Sequence, residues 1–221
     1  MGEHICLTAE DGFELGAYRA EPKGDARGSI VVIQEVFGVN AHVREVADGF
    51  AADGYIALAP AIYDRVEPDF ECGYTPEDIE GARDMRAKAG WDGPMADIAA
   101  AVKACEGKIG TVGYCWGGTL SFLAGTRIEG VACSVVYYGG QIIPYKDEKA
   151  NCPMLMHFGD LDQSIPMADV DAIRAAQPDA AIHVYEGADH GFNCDHRGQH
   201  NPEAAAQARE RTMAFYAQHV G

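Results

Sequence analysis

The chain has 221 residues, 48% of them hydrophobic, and its 17 Lys and Arg against 34 Asp and Glu leave a formal charge of −17. The hydrophobic content excludes global disorder, and the length fits one domain covering residues 1–221. A surface this negative repels phosphate backbones and anionic headgroups, so neither nucleic acid nor a membrane is an expected partner.

No apolar run approaches the roughly 18 residues a membrane helix needs. The N-terminus MGEHICLTAEDG lacks a basic stretch followed by an apolar one, as a secretory signal would require. Seven cysteines (Cys6, Cys72, Cys105, Cys115, Cys133, Cys152 and Cys194) are odd in number and never spaced C-x-x-C. Several sit in apolar runs such as VACSVV, where a reduced thiol packs as a small hydrophobe. The expectation is a soluble protein of the reducing cytoplasm, with no disulfide framework and no zinc ribbon.

In chain order, FELGAYR alternates like a strand of an antiparallel edge hairpin, and GSIVVIQE is the continuous apolar run of a strand buried on both faces. NAHVREVADGFAADGY predicts a helix capped by Asn40, with Val43, Val46, Ala47 and Phe50 on its apolar face. YIALAP is a strand stopped by Pro60. The acidic stretch from Asp64 to Trp91 holds a helix, TPEDIEGARDMRAKAG, with Thr75 as cap and Pro76 in its first turn. PMADIAAAVKACEG is a helix, KIGTVGY a strand, GGTLSFLAGT a helix and VACSVVYYG a strand. PMLMHFGD is a strand, ADVDAIRAAQP a helix and AAIHVYEG a strand, and PEAAAQARERTMAFYAQHV closes the chain as a long amphipathic helix. This alternation predicts a mostly parallel, doubly wound α/β sheet with helices on both faces.

Gly113-Tyr114-Cys115-Trp116-Gly117 has the G-x-C-x-G spacing of a nucleophile elbow and lies between a predicted strand and a predicted helix. A β-carbon at either glycine would meet the backbone of so tight a turn. The turn would hold the Cys115 thiol above the sheet at the positive end of a helix, which favours its thiolate.

A nucleophile needs a base and a group to orient it. His190 follows the last predicted strand in YEGADHGFN, and HFGDLDQSIP offers Asp160 and Asp162 beyond another strand end. The order Cys115…Asp162…His190 is that of an α/β-hydrolase triad. Asp162 is the preferred acid, Asp160 being equally suited to cap its own turn. The tract CDHRGQH, with Cys194, His196 and His200, fits no standard zinc spacing and reads as a polar loop, so no metal site is expected.

These residues resemble the dienelactone hydrolase (carboxymethylenebutenolidase) family of the α/β-hydrolase superfamily. The landmarks are VVIQEVFGVNAHVREVADGFAADGYIALAP, VGYCWGG, FGDLDQSIP and HGFNCDHRG…ARERTMAFY, which together span nearly the whole chain. The resemblance implies the α/β-hydrolase fold, a Cys115–His190–Asp162 triad and a role for Glu35, which helps deprotonate the thiol once substrate displaces its resting partner. It also implies an oxyanion hole from the backbone N–H groups of Val36 and Trp116. A substrate carboxylate would be held by two arginines, one of them four residues after the histidine. Cys194 stands at that place and Arg197 is the nearest arginine, while Arg83 and Arg86 are candidates for the other. Phe37, Tyr138 and Trp116 are the expected aromatic walls.

Thiolate is a good leaving group, so its tetrahedral adduct falls back unless the departing oxygen is also stabilised. Enol esters and enol lactones meet that condition. The expected activity is hydrolysis of a small activated ester or lactone through an acyl-thioester, with no cofactor, by a monomer or small homo-oligomer. The alternatives are a general small-molecule carboxylesterase or thioesterase, and a catalytically idle relative serving as a binding or redox-sensing module.

Overall fold

Continuous apolar runs become the centre of the sheet. In the computed structural model, which describes residues 2–221, every residue of β3 (Ser29–Ile33), β4 (Ile56–Pro60), β5 (Ile109–Tyr114) and β7 (Met154–Gly159) is buried. Together with β1 (Glu3–Thr8), β2 (Glu14–Ala20), β6 (Val131–Tyr137) and β8 (Ala181–Tyr185), they form one eight-stranded sheet in the order β1-β2-β4-β3-β5-β6-β7-β8. β1 pairs with β2, and β2 with β4, antiparallel; every other pairing is parallel. This is the α/β-hydrolase fold with a mixed, mostly parallel sheet.

The helices are α1 (Ala41–Ala52), α2 (Pro76–Ala89), α3 (Asp92–Ala104), α4 (Trp116–Arg127), α5 (Met167–Ala176) and α6 (Pro202–His219). α1, α5 and α6 pack into one apolar cluster through Phe50, Ile173 and Tyr216, and α2 and α3 into a second through Met85 and Ile98. α4 contributes to both. The expected caps are present: Asn40 Oδ1 accepts from the Val43 amide at 3.3 Å, and Thr75 forms a reciprocal capping box with Asp78. Among the described residues no helix is long and apolar enough to cross a membrane, and all seven cysteines are unpaired.

β2 belongs to the expected antiparallel hairpin at the sheet edge, and its partner β1, a strand not expected, is outermost. Most of β1 is exposed, so its EHICLT run shows no clean alternation. Helix α3 starts at Asp92, two residues ahead of the expected Pro94, since proline is tolerated in a first turn where N–H groups lack partners anyway.

The strand order reverses at β3. Chain leaving β3 goes to β4 on one side, and chain leaving β4 returns across to β5 on the other. In open α/β sheets such a reversal leaves a crevice beyond the strand C-termini, where ligands bind. Glu35 follows β3 there, and Cys115 follows β5.

Candidate active site

Cys115 has φ 57° and ψ −118°, a backbone conformation L-residues rarely adopt and one that costs about 1–3 kcal/mol. The surrounding glycines permit it. A β-carbon on Gly113 would stand 1.8 Å from the Gly117 carbonyl oxygen, and one on Gly117 would stand 2.2 Å from that of Gln34. The turn is pinned by the Cys115 amide donating to Tyr137 O at 3.1 Å and by Cys115 O accepting from Gly118 N at 3.0 Å. Cys115 occupies the N-cap of α4, yet its side chain makes no capping bond, so the sulfur stays available.

The loops after β7 and β8 bring Asp162 and His190 together. His190 Nδ1 lies 2.7 Å from Asp162 Oδ2, and Asp162 Oδ1 accepts from the Ser164 amide at 2.8 Å. Asp162 is buried, so its charge is spent on these two partners. Asp160 neither joins His190 nor caps its own turn. It is exposed, and its Oδ1 accepts from the Gly187 amide at 2.8 Å, tying one loop to the next. Burial pulls the His190 imidazole down, but the charge on the Cys115 sulfur and the hydrogen bond to Asp162 outweigh it. The net result is a rise from the ordinary 6.5 to about 10.

Tyr138 is fully buried, with its ring centroid 5.1 Å from that of His190. It supports the imidazole from behind and does not line the cavity, which corrects its expected place among the aromatic walls. The reason is its backbone: with φ 38° immediately after β6, Tyr138 turns into the cluster of Tyr114, Tyr137 and Phe192.

Glu35 is 2% exposed and is not left unpaired. Arg197 Nη1 donates to its Oε1 at 3.3 Å, and the guanidinium lies over the rings of Phe37 (5.5 Å) and Tyr74 (5.8 Å). Burial pulls the Arg197 guanidinium down, but Glu35 outweighs it and the net direction is upward. The loop reaches back because Gly191, at φ 81°, has no side chain; a β-carbon there would meet Arg197 Nη1 at 2.5 Å. Cys194, in the place where an arginine was sought, is buried with its thiol 3.5 Å from the Tyr74 hydroxyl. Gly191 could have signalled that the loop doubles back, but nothing in the sequence gives the direction.

Tyr63 links the two amides expected to face a developing oxyanion. Its hydroxyl donates to Val36 O at 3.1 Å, while its ring stacks on Trp116 with centroids 5.4 Å apart and planes 16° from parallel. Among the described residues, neither the Val36 nor the Trp116 N–H donates to a backbone carbonyl outside regular structure.

Cys115, His190, Val36 and Trp116 open onto one cavity of about 560 Å³, a size suited to a small molecule. Phe37 forms part of its wall. Arg83, Arg86 and Arg197 also line it, with Gln141 accepting a hydrogen bond from Arg86. Three arginines thus line one concavity of a chain with net charge −17. A second cluster of polar side chains, His42, Glu45, Asp195 and His196, lies outside the cavity lining.

The profile of the dienelactone hydrolase family matches residues 15–220. A Synechocystis sp. protein, provisionally named carboxymethylenebutenolidase, is 37% identical over 235 residues, covering 96% of this chain and 95% of its own. The carboxymethylenebutenolidase of Pseudomonas putida is 32% identical over 233 residues, covering 98% of this chain and 97% of its own. The crystal structure of a Klebsiella pneumoniae protein, provisionally named a dienelactone hydrolase, superimposes with a TM-score of 0.85 at 28% identity. That match covers 98% of this chain and 100% of the other.

Proposed function

The chain belongs to the dienelactone hydrolase family and is a carboxymethylenebutenolidase-like hydrolase, and from that premise we propose that it cleaves a small, anionic enol lactone or activated ester with Cys115 as nucleophile. The observation that carries this reading is the pairing of His190 with Asp162 at 2.7 Å, on the cavity where the strained elbow holds Cys115.

The Cys115 thiolate attacks the acyl carbon, forming the C–S bond and moving the carbonyl electron pair onto oxygen. The amides of Val36 and Trp116 stabilise that oxyanion. Its collapse breaks the acyl C–O bond, and the leaving enolate takes a proton from the His190 imidazolium. In a lactone the leaving group stays tethered. Neutral His190, oriented by Asp162, then takes a proton from water as it attacks the thioester; the second collapse releases the carboxylic acid and regenerates the thiolate.

Arg197 and its neighbours favour an anionic substrate over a neutral ester. A substrate carboxylate reaching Arg197 would compete with Glu35 for it, freeing Glu35 to take the proton of a Cys115 that rests as the thiol and to return it to the sulfur when product leaves. A one-domain chain, monomeric or in a small homo-oligomer, suffices for this chemistry.

The test is turnover of cis- and trans-dienelactone beside neutral aryl esters, alkyl esters and acyl thioesters by the wild type and Cys115→Ala. The wild type should prefer the anionic lactones, and the variant should lose about 10³-fold or more on every cleaved substrate. Retained activity in the variant would sink the cysteine mechanism, and a preference for neutral esters or thioesters would replace the lactone with a general esterase substrate.

A further inference from the structure

The loop that carries His190 and Arg197 meets α1 through four side chains that the proposed hydrolysis does not use. His42 and Glu45 stand one helical turn apart on α1, and Asp195 and His196 are adjacent in the loop. One ligand atom from each lies within 4.8 Å of all the others. We propose that His42, Glu45, Asp195 and His196 bind one zinc-class divalent metal ion, which clamps α1 to the loop bearing His190 and Arg197.

The spacing suits such an ion. Tetrahedral zinc, with N and O ligands at about 2.0–2.1 Å, places neighbouring ligand atoms about 3.3 Å apart. Here His42 Nδ1 is 3.3 Å from Asp195 Oδ1, His196 Nε2 is 2.8 Å from Glu45 Oε2, and His196 Nε2 is 3.9 Å from Asp195 Oδ1. These three distances straddle the required value, and the remaining pairs lie within 4.8 Å, so closing the shell requires the side chains to draw together. The two imidazole rings converge, with centroids 5.3 Å apart.

Charge and donor type narrow the ligand. Two carboxylates and two neutral imidazoles exactly offset a divalent charge, in a chain whose overall charge of −17 draws cations. Imidazole nitrogen suits zinc, nickel or copper, whereas calcium and magnesium prefer oxygen-only shells. Without a metal ion the four groups pair one to one, His42 with Asp195 and His196 with Glu45, whereas an ion would join all four in one shell. Access is open: three of the four residues are at the surface, and a cavity of about 320 Å³ lined by His42, Glu45, Asp195 and His200 adjoins them.

Position gives the site a consequence. Asp195 and His196 immediately precede Arg197, the partner of Glu35, and α1 follows the segment that contains Glu35 and Val36. An ion held here would fix both sides of that pair without touching substrate. Neither half of the ligand set is legible alone, because the CDHRGQH loop supplies two ligands and needs α1 for the others.

The experiment uses chelator-treated Cys6→Ser/Cys115→Ser chain, so that neither the exposed Cys6 thiol nor the half-buried elbow thiol is a competing ligand, titrated with zinc sulfate by calorimetry and assayed for bound metal after gel filtration. One zinc per chain is expected, with a Tm about 5 °C or more higher at a hundredfold excess over Kd. Adding Glu45→Gln and His196→Ala, both at surface positions, should weaken binding at least tenfold and abolish the Tm rise. Cobalt should give the visible bands of a tetrahedral N/O site without thiolate charge transfer. Absence of stoichiometric zinc, equal affinity in the Glu45→Gln/His196→Ala background, or a thiolate–cobalt band would each overturn the site.

Discussion

The two sides of the active-site cavity are held in place by different physics. Cys115 is fixed by backbone: its left-handed turn exists because glycines at 113 and 117 let carbonyl oxygens approach where a β-carbon would stand 1.8 and 2.2 Å away. The opposite side is fixed by charge. His190 is held by Asp162 at 2.7 Å, and Arg197 by Glu35 at 3.3 Å, across loops with no regular structure. A steric constraint of the first kind does not respond to conditions, whereas an electrostatic one weakens when a proton, a competing anion or a substitution removes one partner. The nucleophile is thus immobile, and the groups that act on it are adjustable.

The largest way to break the contrast is on the charged side. Asp162→Asn should lower kcat/KM by about 10³–10⁴-fold while leaving the fold intact, since the amide no longer fixes the imidazole tautomer or supports its charge. Asp160→Asn, which touches only a loop amide, is the control; equal losses in the two variants would mean that the loops, not the imidazole, were being measured. On the steric side Gly113→Ala should cost about 4 kcal/mol of stability, read as a drop in Tm of about 10 °C, because the atom it meets is backbone and cannot swing away. Unchanged stability would show that the elbow can relax.

A smaller effect sharpens the same contrast by pH. His190 is raised to about 10, so its contribution to stability is fully present below the unfolded value of 6.5 and is lost as pH rises through about 10. In Cys115→Ser the sulfur's charge is gone, and an NMR titration of the imidazole should find it moved down from about 10. An unmoved value would show that the sulfur and the imidazole are not coupled.

The same division explains what the amino-acid sequence reveals. The sheet is legible because strands buried on both faces read as unbroken apolar runs, and β1 is not, because an outer strand buries too little to show a period. The elbow is legible because its glycines sit at fixed offsets from Cys115. The electrostatic side depends on which distant residues the fold brings together. Asp162 is preferred over Asp160 on loop position alone, and the fold decides it by pairing Asp162 with His190 and Asp160 with the Gly187 amide. Arg197 reaches Glu35 across 162 residues, and His196 reaches Glu45 across 151, by way of a bend whose direction the sequence does not encode. Tyr138 is not legible for a related reason: its positive φ, unlike that of Cys115, belongs to no motif with glycines at fixed offsets.

The central claim is that the sulfur of Cys115 becomes covalently acylated. Acid-quenching the enzyme during turnover of a slowly released aryl ester, followed by intact-mass and peptide mass spectrometry, tests it directly. The account predicts one acyl group per chain, located on the peptide containing Cys115, removed by neutral hydroxylamine as a thioester is and missing from Cys115→Ala. Turnover in which the acyl group is found on another residue, or persists in Cys115→Ala, would contradict it.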